Sequence, residues 1–410
     1  MNHSEKSHET EFRMIFRTIL SMPRMKINIV GGGPAGLYFA LLMKKLDRAH
    51  EISIFERDGP DDTFGWGIVF SDKTMSYLIN NDRETAAAIM GSFEAWDNVD
   101  VVHMDQKISI RGNRFSGIGR LAFLNILQER CLDLGVDVRF RTNITEPDMD
   151  DLVQCDLFVG ADGANSLVRR RYGEFFHPTV DVRKNKYIWL GTHHPFDGLA
   201  LTFREHPSGV YVSHSYRFNP TTSTFIVECP ADTWERAGFE RMSDGETCEY
   251  LGRVFEKDLG GHPLLSNNFV RWLNFTIVKN RRWHHGNTVL LGDALHTAHF
   301  SIGSGTKLAL EDSIALVKCF MPNRGVQSAL QEFERVRKPI VDGLQQAAHA
   351  SLIWFENVKD RLHLEPIPLA YEVMTRSGRV DEENLQKRDP EFVAHYEDWA
   401  REKILSENRE

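Results

Sequence analysis

Several features that would define a special class of protein are scarce or missing in this 410-residue sequence. The five cysteines are scattered and form no CxxC or Cys/His cluster, which argues against a disulfide framework and a structural zinc site. No apolar run approaches the ~18 residues of a membrane-spanning helix. The formal net charge is −9, which disfavours non-specific nucleic-acid binding. We therefore expect a cytoplasmic protein with no metal site and no nucleic-acid or membrane partner.

What the chain does contain is an ordinary globular composition, with 41% hydrophobic and 26% charged residues. At ~150 residues per domain, the length fits two or three domains, or one large α/β unit with an insertion. Residues 1–24 differ from the rest of the chain: they are polar and basic, and their short apolar stretch is interrupted by Arg17. We expect a disordered extension or an upstream start codon there, with a targeting peptide as the alternative.

The pattern after Met25 predicts an α/β fold. Two short β-patterns, Lys26–Val30 and Glu51–Glu56, flank a Gly-rich turn and a helical stretch, which together predict a βαβ unit. Helical patterns follow, and the chain returns to a buried strand at Asn287–Gly292. The remaining helical predictions are Asp72–Trp96, Gly119–Leu134, Met242–Phe255, Gly305–Phe320 and Gln327–Asn357.

Between these segments the sequence pattern changes to short β-runs separated by turn residues, and this pattern predicts an inserted antiparallel sheet. The runs are Tyr187–Gly191, Leu199–Phe203, Gly209–His214 and Ser223–Glu228. We therefore predict a discontinuous nucleotide-binding domain, a substrate domain that carries the insert, and a C-terminal helical tail. The predicted boundaries are 25–75, 113–180 and 281–350 for the first domain, 76–112 and 181–280 for the second, and 351–410 for the tail.

The Gly-rich turn predicts a dinucleotide site. Gly31, Gly33 and Gly36 follow a strand and open a helix, and Glu56 ends the next strand about 20 residues later. Gly33 would let the backbone approach a pyrophosphate, and the helix N-terminus supplies N–H groups for its charge. Glu56 can bind both ribose hydroxyls. This fingerprint alone does not separate FAD from NAD, and a tight turn before an ordinary helix is the structural alternative.

Two later segments favour FAD. The stretch Asp156–Arg169, with Asp162 in an Ala-Asp-Gly turn, resembles the DG motif of the flavoprotein aromatic hydroxylases. Gly292-Asp-Ala-Leu-His296, followed by Gly303-Ser-Gly305, resembles their GDAxH…GxG motif. The whole arrangement resembles the class A flavoprotein monooxygenases, which have the fold of p-hydroxybenzoate hydroxylase (GR2 type). From this resemblance we expect a Rossmann-like FAD-binding domain with an inserted antiparallel β-sheet substrate domain and C-terminal helices.

The resemblance also implies roles for individual residues. Asp293 would accept a hydrogen bond from the FAD ribitol, and the helix that opens at Gly305 would face the flavin pyrimidine. Asp162 would serve the pyrophosphate and the nicotinamide donor, NADH or NADPH, and Arg120 the cofactor phosphates. The predicted cofactor contacts are Gly31, Gly33, Pro34, Ala35, Gly36, Glu56, Arg57, Gly67, Ile68, Arg120, Asp162, Asp293, Gly303 and Gly305.

Within the family, four segments resemble the salicylyl-CoA 5-hydroxylase and 2-aminobenzoyl-CoA monooxygenase group, and also the tryptophan-type hydroxylase of violacein biosynthesis. Phe300 and Lys307 depart from the broad family, which has Pro and Asn at these places, and both replacements are shared with the aryl-CoA group. Met374–Asp381 and Arg388-Asp-Pro390 look specific to that group. The four segments are Phe64–Ser71, Asn185–Thr192, Ser223–Glu228 and His299–Gly303. Since aryl-CoA proteins are often fused to a reductase and this chain stops at 410, we expect no dearomatising reduction.

The implied reaction is O2-dependent hydroxylation of an activated ring, most simply salicylyl-CoA at position 5. We predict that His299 and His214 are catalytic, since a histidine near the ring could take the phenol proton. The alternative for both is an ordinary core or surface histidine. The predicted substrate contacts are Phe300, Ser301, Tyr211 and Tyr216.

The CoA phosphates require basic residues, although each charged run is alternatively a solvated face. The resemblance leaves a homodimer open. Competing hypotheses are hydroxylation of a free aromatic acid or indole, a flavin-binding protein without hydroxylase activity, and a plain NAD-dependent dehydrogenase. The basic candidates are Arg111, Arg114, Arg169–Arg171 and Arg281–Arg282.

Overall fold

The computed structural model describes residues 23–267, 271–321 and 324–407. Of the predicted N-terminal extension, only Pro23 and Arg24 are among these residues. Within the described ranges, no helix combines the length and apolar character needed to cross a membrane.

The described strands and helices alternate in the first 180 residues, and the strands then dominate as far as residue 290. The strands are β1 (Lys26–Val30), β2 (Glu51–Phe55), β3 (Gly67–Ser71), β4 (Glu94–Trp96), β5 (Val99–His103), β6 (Gln106–Ile110), β7 (Phe115–Gly119), β8 (Asp137–Arg139), β9 (Leu157–Gly160), β10 (Pro178–Thr192), β11 (Leu199–His206), β12 (Gly209–Asn219), β13 (Thr222–Cys229), β14 (Leu264–Leu265), β15 (Leu273–Asn280), β16 (His284–His285) and β17 (Thr288–Leu290). The helices are α1 (Pro34–Leu46), α2 (Asp72–Asn81), α3 (Arg83–Met90), α4 (Arg120–Asp133), α5 (Glu146–Leu152), α6 (Leu167–Arg171), α7 (Gly173–Phe176), α8 (Ala231–Ala237), α9 (Asp244–Val254), α10 (Glu256–Leu259), α11 (Gly305–Phe320), α12 (Val326–Glu356), α13 (Pro366–Thr375), α14 (Glu382–Arg388) and α15 (Pro390–Glu407).

A six-stranded, mostly parallel sheet carries the predicted βαβ unit. Its strand order is β16-β17-β9-β1-β2-β8, and β1 pairs in parallel with both β2 and β9. Ile27 and Ile29 are fully buried because helices cover both faces of a parallel sheet. The prediction of a βαβ unit is confirmed. The carboxyl ends of β1, β9 and β17 meet at one edge, which is where open α/β sheets bind ligands.

The predicted antiparallel insert is confirmed as part of an eight-stranded sheet of order β14-β10-β13-β12-β11-β5-β6, with β15 paired to β10. The sheet also contains the β5–β6 hairpin, which the sequence analysis missed. Its turn residues, Met104 and Asp105, adopt positive φ angles that Asn-Gly would normally mark. The strand β15 was missed as well, although its apolar and polar residues alternate at Leu273–Ile277.

The third sheet has three strands in the order β3-β7-β4. The predicted helix over Asp72–Trp96 is partly wrong: it is interrupted at Asp82, which caps α3, and it ends at Met90 before strand β4. The helices predicted at Gly305–Phe320 and Gln327–Asn357 are confirmed, the second as one continuous helix.

The C-terminal helices are packed against the eight-stranded sheet rather than standing away from it. Leu369 and Val373 of α13 and Phe392 of α15 are buried in one cluster with Val101 and Val212 of that sheet. This packing brings the α13–α14 connection to the mouth of the main cleft. The domain boundaries given above stay a proposal.

Candidate active site

A cleft of about 960 Å³ runs from the carboxyl edge of the six-stranded sheet to the eight-stranded sheet and the C-terminal helices. At one end it is lined by the Gly-rich turn and by the segments around Asp293 and Gly303. Aromatic side chains of the eight-stranded sheet line its middle, and basic side chains stand at its rim. These three parts have different chemistry.

The glycines of the nucleotide turn divide into two kinds. A Cβ on Gly31, which has a φ of +107°, would lie 2.2 Å from the Ala161 oxygen. A Cβ on Gly36 would lie 2.1 Å from the Gly31 oxygen. A Cβ on Gly33 would meet nothing within 4 Å, and Gly33 lines the cleft together with Pro34 and Ala35. Gly31 and Gly36 therefore allow the close packing of the protein's own backbone, whereas Gly33 leaves space that a bound group can fill.

Glu56 lies at the end of β2, where the fingerprint predicts it. Its Oε2 accepts a hydrogen bond from the Gly32 amide at 2.5 Å, and its Oε1 accepts one from the Asp58 amide at 2.9 Å. The carboxylate thus holds the turn, and it keeps free lone pairs for ribose hydroxyls. The predicted contact Arg57 is exposed beside Asp58 and is not among the residues that line the cleft.

The opposite wall of this end carries Asp293 and Arg120. The Asp293 side chain is open to the cleft but lies deep in the protein, and burial raises its pKa while His296 and Arg120 oppose that rise. The Arg120 Nε is buried without a hydrogen-bond partner among the described residues, and burial lowers the pKa of this guanidinium. An unsatisfied buried donor costs free energy, so Arg120 is suited to bind an anion.

Three observations fit a dinucleotide cofactor in this part of the cleft. They are the open face of Gly33, the unpartnered Nε of Arg120, and two helices, α1 and α11, that begin at the cleft with no acidic side chain in their first turns. Helix N-termini and a guanidinium favour phosphate and a reduced flavin. The predicted contacts Gly67, Ile68, Gly303 and Gly305 also line the cleft.

The Asp162 carboxylate is hydrogen-bonded within the protein, and its predicted role toward the pyrophosphate and the nicotinamide donor stays a prediction. Its Oδ1 accepts a hydrogen bond from the Ser166 hydroxyl at 2.5 Å, and its Oδ2 accepts bonds from the Leu167 and Val168 amides at 2.6 and 3.1 Å. The carboxylate therefore caps α6 instead of facing the cleft. The neighbouring residues Gly163, Ala164 and Asn165 line the cleft in its place.

A buried ionic network supports the Asp293 segment from behind. Asp312 of α11 accepts hydrogen bonds from His296 Nε2 at 2.7 Å and from Arg337 Nε at 2.7 Å. Burial alone would raise the pKa of Asp312, but His296 and Arg337 outweigh it and lower the pKa. No local motif in the sequence marks this network, because Arg337 is 25 residues away from Asp312 on another helix.

The middle of the cleft is an aromatic pocket. Tyr187 of β10 and Phe300 lie with their ring centroids 5.0 Å apart, and the His214 ring of β12 is 5.3 Å from Phe300. The Tyr216 hydroxyl donates to the Gly67 oxygen at 2.8 Å, which ties this wall to the strand beside the cofactor site. The predicted contacts Phe300, Ser301, His214 and Tyr216 all line the cleft, together with Trp189 and Phe275.

Two predicted residues do not reach the pocket. Tyr211 lies on the opposite face of β12 from His214 and Tyr216, because side chains alternate along a strand. Its hydroxyl hydrogen-bonds Ser208 at 2.7 Å inside a separate core. His299 lies behind Phe300, where its Nδ1 hydrogen-bonds Ser301 at 2.8 Å, and burial lowers its pKa to about 4. Both predictions are corrected on these grounds.

The rim of the cleft is basic. Lys73, Arg114, Arg379 and Arg388 line it, with Asp72 as the nearby acid, 3.9 Å from Arg114. Among the described residues, Lys73, Arg379 and Arg388 have no carboxylate within 4.0 Å. Arg379 and Arg388 lie close enough to interact, since the pKa of Arg379 is lowered by burial and then by Arg388, while Glu311 opposes both.

Most of the basic residues named from the sequence lie elsewhere. Arg169 is buried and donates to the Ala294 oxygen at 2.9 Å, and Arg171 pairs with Asp150 at 3.2 Å. Arg111, Arg170, Arg281 and Arg282 are exposed and do not line the cleft. Only Arg114 is at the rim. The other three rim residues were missed, although Arg379 and Arg388 fall in the C-terminal segments that resemble the aryl-CoA group.

Residues 24–348 match the family described as "FAD binding domain". The chain is 39% identical over 92% of its length to salicyloyl-CoA 5-hydroxylase of Streptomyces sp., covering 74% of that protein. It is 36% identical over 83% of its length to protodeoxyviolaceinate monooxygenase of Chromobacterium violaceum, covering 91%. It is 34% identical over 88% of its length to 3-hydroxy-4-methyl-anthranilyl-[aryl-carrier protein] 5-monooxygenase of Streptosporangium sibiricum, covering 97%.

Among solved structures, the chain resembles 2-methyl-3-hydroxypyridine-5-carboxylic acid oxygenase with a TM-score of 0.69 and 19% identity. That likeness covers 89% of this chain and 98% of the other, and it concerns the fold. The match of the domain, the identity to named monooxygenases and the geometry of the cleft agree with one another. The chain therefore belongs to the FAD-binding-domain family as a flavin-dependent aromatic monooxygenase, and its cofactor is FAD.

Proposed function

We propose that this enzyme hydroxylates an aromatic ring that carries an activating hydroxyl or amino group and is presented as a CoA thioester, most simply salicylyl-CoA at position 5. The observation that carries the proposal is the continuity of the cleft: an aromatic pocket beside the cofactor end opens onto the basic rim. A ring in the pocket would place a long substituent along the cleft, with its phosphates among the rim cations.

The charge of the rim supports a substrate with several phosphates. The chain is acidic overall, yet four cations line the rim. Three of them have no carboxylate within 4.0 Å among the described residues, and Arg388 lowers the pKa of Arg379, so a polyanion would stabilise this group of cations. The names of two relatives agree with this, since one acts on salicyloyl-CoA and another on an anthranilyl group held by a carrier protein.

The residues divide the chemical work. Bound FAD supplies the redox chemistry, with electrons from NADH or NADPH and oxygen from O2. Gly33, Arg120 and Asp293 bind and orient the cofactor, and Tyr187 and Phe300 hold the ring against it. The aromatic walls exclude water, which limits the loss of activated oxygen to solvent. His214 is the pocket residue suited to accept a proton from the substrate.

The test is substrate-dependent NADH consumption with product mass, measured for salicylyl-CoA, 2-aminobenzoyl-CoA and their free acids. We expect NADH oxidation to accelerate with a CoA thioester and a product heavier by one oxygen atom. Equal stimulation by the free acids would overturn the thioester assignment.

We also propose a cytoplasmic location. The five cysteines are all free thiols, and those at positions 131, 229 and 319 are buried. Free buried thiols suit a reducing compartment. Fractionation of cells that express the chain tests the proposal.

A further inference from the structure

Two buried ionisable side chains stand side by side at the wall of the aromatic pocket. His214 of β12 and Glu228 of β13 occupy diagonal positions, since Glu228 is paired with Val212 two residues before His214. Their side chains are 6% and 3% exposed, and 3.6 Å separates His214 Nε2 from Glu228 Oε2. This distance is just beyond a hydrogen bond.

The two facing atoms have no other use among the described residues. His214 Nε2 and Glu228 Oε2 are both buried without a hydrogen-bond partner. The other carboxylate oxygen, Oε1, accepts a hydrogen bond from Asn185 Nδ2 at 2.8 Å, which fixes the carboxylate in place. A buried polar atom without a hydrogen-bond partner costs free energy of folding. Because His214 Nε2 and Glu228 Oε2 are only a few tenths of an ångström beyond bonding distance, we infer that a hydrogen bond forms between them in the working enzyme.

The imidazole has two distinct edges. His214 lines the cleft, while its Nε2 is sealed against Glu228. Nδ1 is therefore the nitrogen available to a substrate atom. The ring is held between Phe300 and Phe355, with centroid distances of 5.3 and 4.9 Å, so it cannot turn freely.

We propose that Glu228 is a positioning residue, which keeps the proton of His214 on Nε2 and thereby makes Nδ1 the base that accepts the phenol proton of the substrate. This inference rests on the proposed function, because it needs a ring with an ionisable hydroxyl. The carboxylate also stabilises the imidazolium that forms, as a carboxylate does for a catalytic histidine in other enzymes.

The proton transfer balances without a further reagent. The phenol O–H bond breaks, the proton moves to Nδ1, and the electron pair stays on the phenol oxygen, where it enriches the ring for attack on electrophilic oxygen. The ring later releases its C–H proton to water and regains aromaticity, which balances the proton consumed when the second oxygen atom of O2 leaves as water. Nδ1 returns its own proton to the phenolate oxygen. O2 and NAD(P)H are consumed by the monooxygenase activity itself.

The charges around the pair favour a neutral His214 beside an ionised Glu228. Burial lowers the pKa of His214, Arg376 lowers it further, and Glu228 opposes both. Burial alone would raise the pKa of Glu228, but His214, His299 and Asn185 reverse the direction and lower it. Both directions fit one state, in which a neutral imidazole directs its Nε2–H toward a carboxylate. The aromatic neighbours Phe300 and Phe355 add no charge.

The test uses FAD-loaded enzyme without NADH and follows the absorbance of bound salicylyl-CoA against pH, because a phenol and its phenolate absorb differently. Wild type should ionise the bound phenol at a lower pH than the free thioester. Glu228→Gln can accept from Asn185 and then donate to Nε2, which moves the imidazole proton to Nδ1 and removes the base. We expect the ionisation to shift upward by about one pH unit and kcat to fall on the order of 10²-fold with little change in KM.

The chain offers a matched control. Glu334 Oε2 lies 3.7 Å from His284 Nε2, and neither residue lines the cleft. Glu334→Gln should leave the phenol ionisation as in wild type. Glu228→Asp, which keeps the charge, should recover part of kcat.

A double-mutant cycle decides the assignment if Glu228→Gln binds FAD poorly. His214→Gln should raise the ionisation pH by itself, and Glu228→Gln added to it should cause no further shift, since both act through one base. Additive shifts, or an unchanged ionisation in Glu228→Gln, would overturn the role of Glu228. Failure of wild type to bind salicylyl-CoA would instead overturn the proposed function.

Discussion

The cofactor half and the substrate half of the cleft are built by different means. The cofactor half is made of turns and helix N-termini, where backbone geometry and a few glycines decide the chemistry. The substrate half is made of side chains from β10, β12 and β15, the loop at Phe300, and the α13–α14 connection, which are distant in sequence. A local motif therefore describes the first half well, whereas the second depends on strand register and on long-range packing.

The largest expected effect comes from the network that supports the cofactor half. Asp312→Asn leaves the buried Arg337 and His296 without their shared carboxylate, which should cost roughly 3–5 kcal/mol of unfolding free energy. Urea denaturation measures it. The exposed pair Asp150–Arg171 provides the control, since Asp150→Asn should cost less than about 1 kcal/mol.

The pH dependence of that effect has a definite sign. The folded-state pKa of Asp312 lies below its usual 3.8, so its contribution is present above that pH and is lost as the pH falls through the lowered value. The difference in stability between wild type and Asp312→Asn should therefore shrink only below about pH 3.8. A difference that already shrinks near neutral pH would show that a group other than Asp312 carries the effect.

The next effect tests the cofactor cradle, by which we mean the Gly-rich turn with Gly33 and the N-terminus of α1. Gly33→Val should fill the space intended for the pyrophosphate, and an overpacked contact of roughly 1–3 kcal/mol weakens FAD binding on the order of 10- to 100-fold. The ratio of flavin to protein after purification reports it. Gly252→Val is a fair comparison, because a Cβ there also meets nothing within 4 Å but lies outside the cleft. Equal retention of FAD in both variants would refute the cradle.

A smaller effect on KM distinguishes the role of the basic rim from that of the aromatic pocket. Arg379→Ala should raise KM for salicylyl-CoA about fivefold, as expected for roughly 1 kcal/mol from an exposed charge pair. It should not change KM for the N-acetylcysteamine thioester, which has no phosphates. Arg241→Ala, away from the cleft, is the control. An equal rise with both thioesters would show that Arg379 acts on the ring and not on phosphate.

The smallest effect checks the faces of β12. Tyr211→Phe removes the hydrogen bond to Ser208 and should cost about 1 kcal/mol of stability without changing KM. Tyr216→Phe removes the bond to the Gly67 oxygen in the cleft and should change substrate or FAD affinity. Steady-state kinetics of the two variants give the comparison. A KM effect of Tyr211→Phe alone would mean that the strand register is different.

Local motifs placed Gly33 and Asp293 correctly at the cleft, because their spacing follows from a strand, a turn and a helix, and their contacts with FAD stay a prediction. Asp162 was the exception: its motif was recognised, but whether a carboxylate caps a helix or faces a ligand depends on the turn that follows it. Arg57 was misplaced for a similar reason, since the direction of a side chain at a strand end is set by its neighbours.

The substrate half was predicted only where local pattern was enough. Phe300 and His214 were found, but Tyr211 was placed on the same wall although residues 211 and 214 differ by an odd number and so face opposite sides of a strand. Glu228 and Arg379 were not recognised, because only the pairing of β12 with β13 sets Glu228 beside His214 and only the packing of α13 brings Arg379 to the cleft.

The central claim is that this chain joins a flavin site to an aryl-thioester pocket in one cleft. The most direct test is turnover of salicylyl-CoA with NADH under ¹⁸O2, followed by mass spectrometry of the thioester product. The account predicts a hydroxylated CoA thioester that carries one ¹⁸O atom, formed in step with NADH oxidation. NADH oxidation that yields only hydrogen peroxide, with the thioester unchanged, would contradict it.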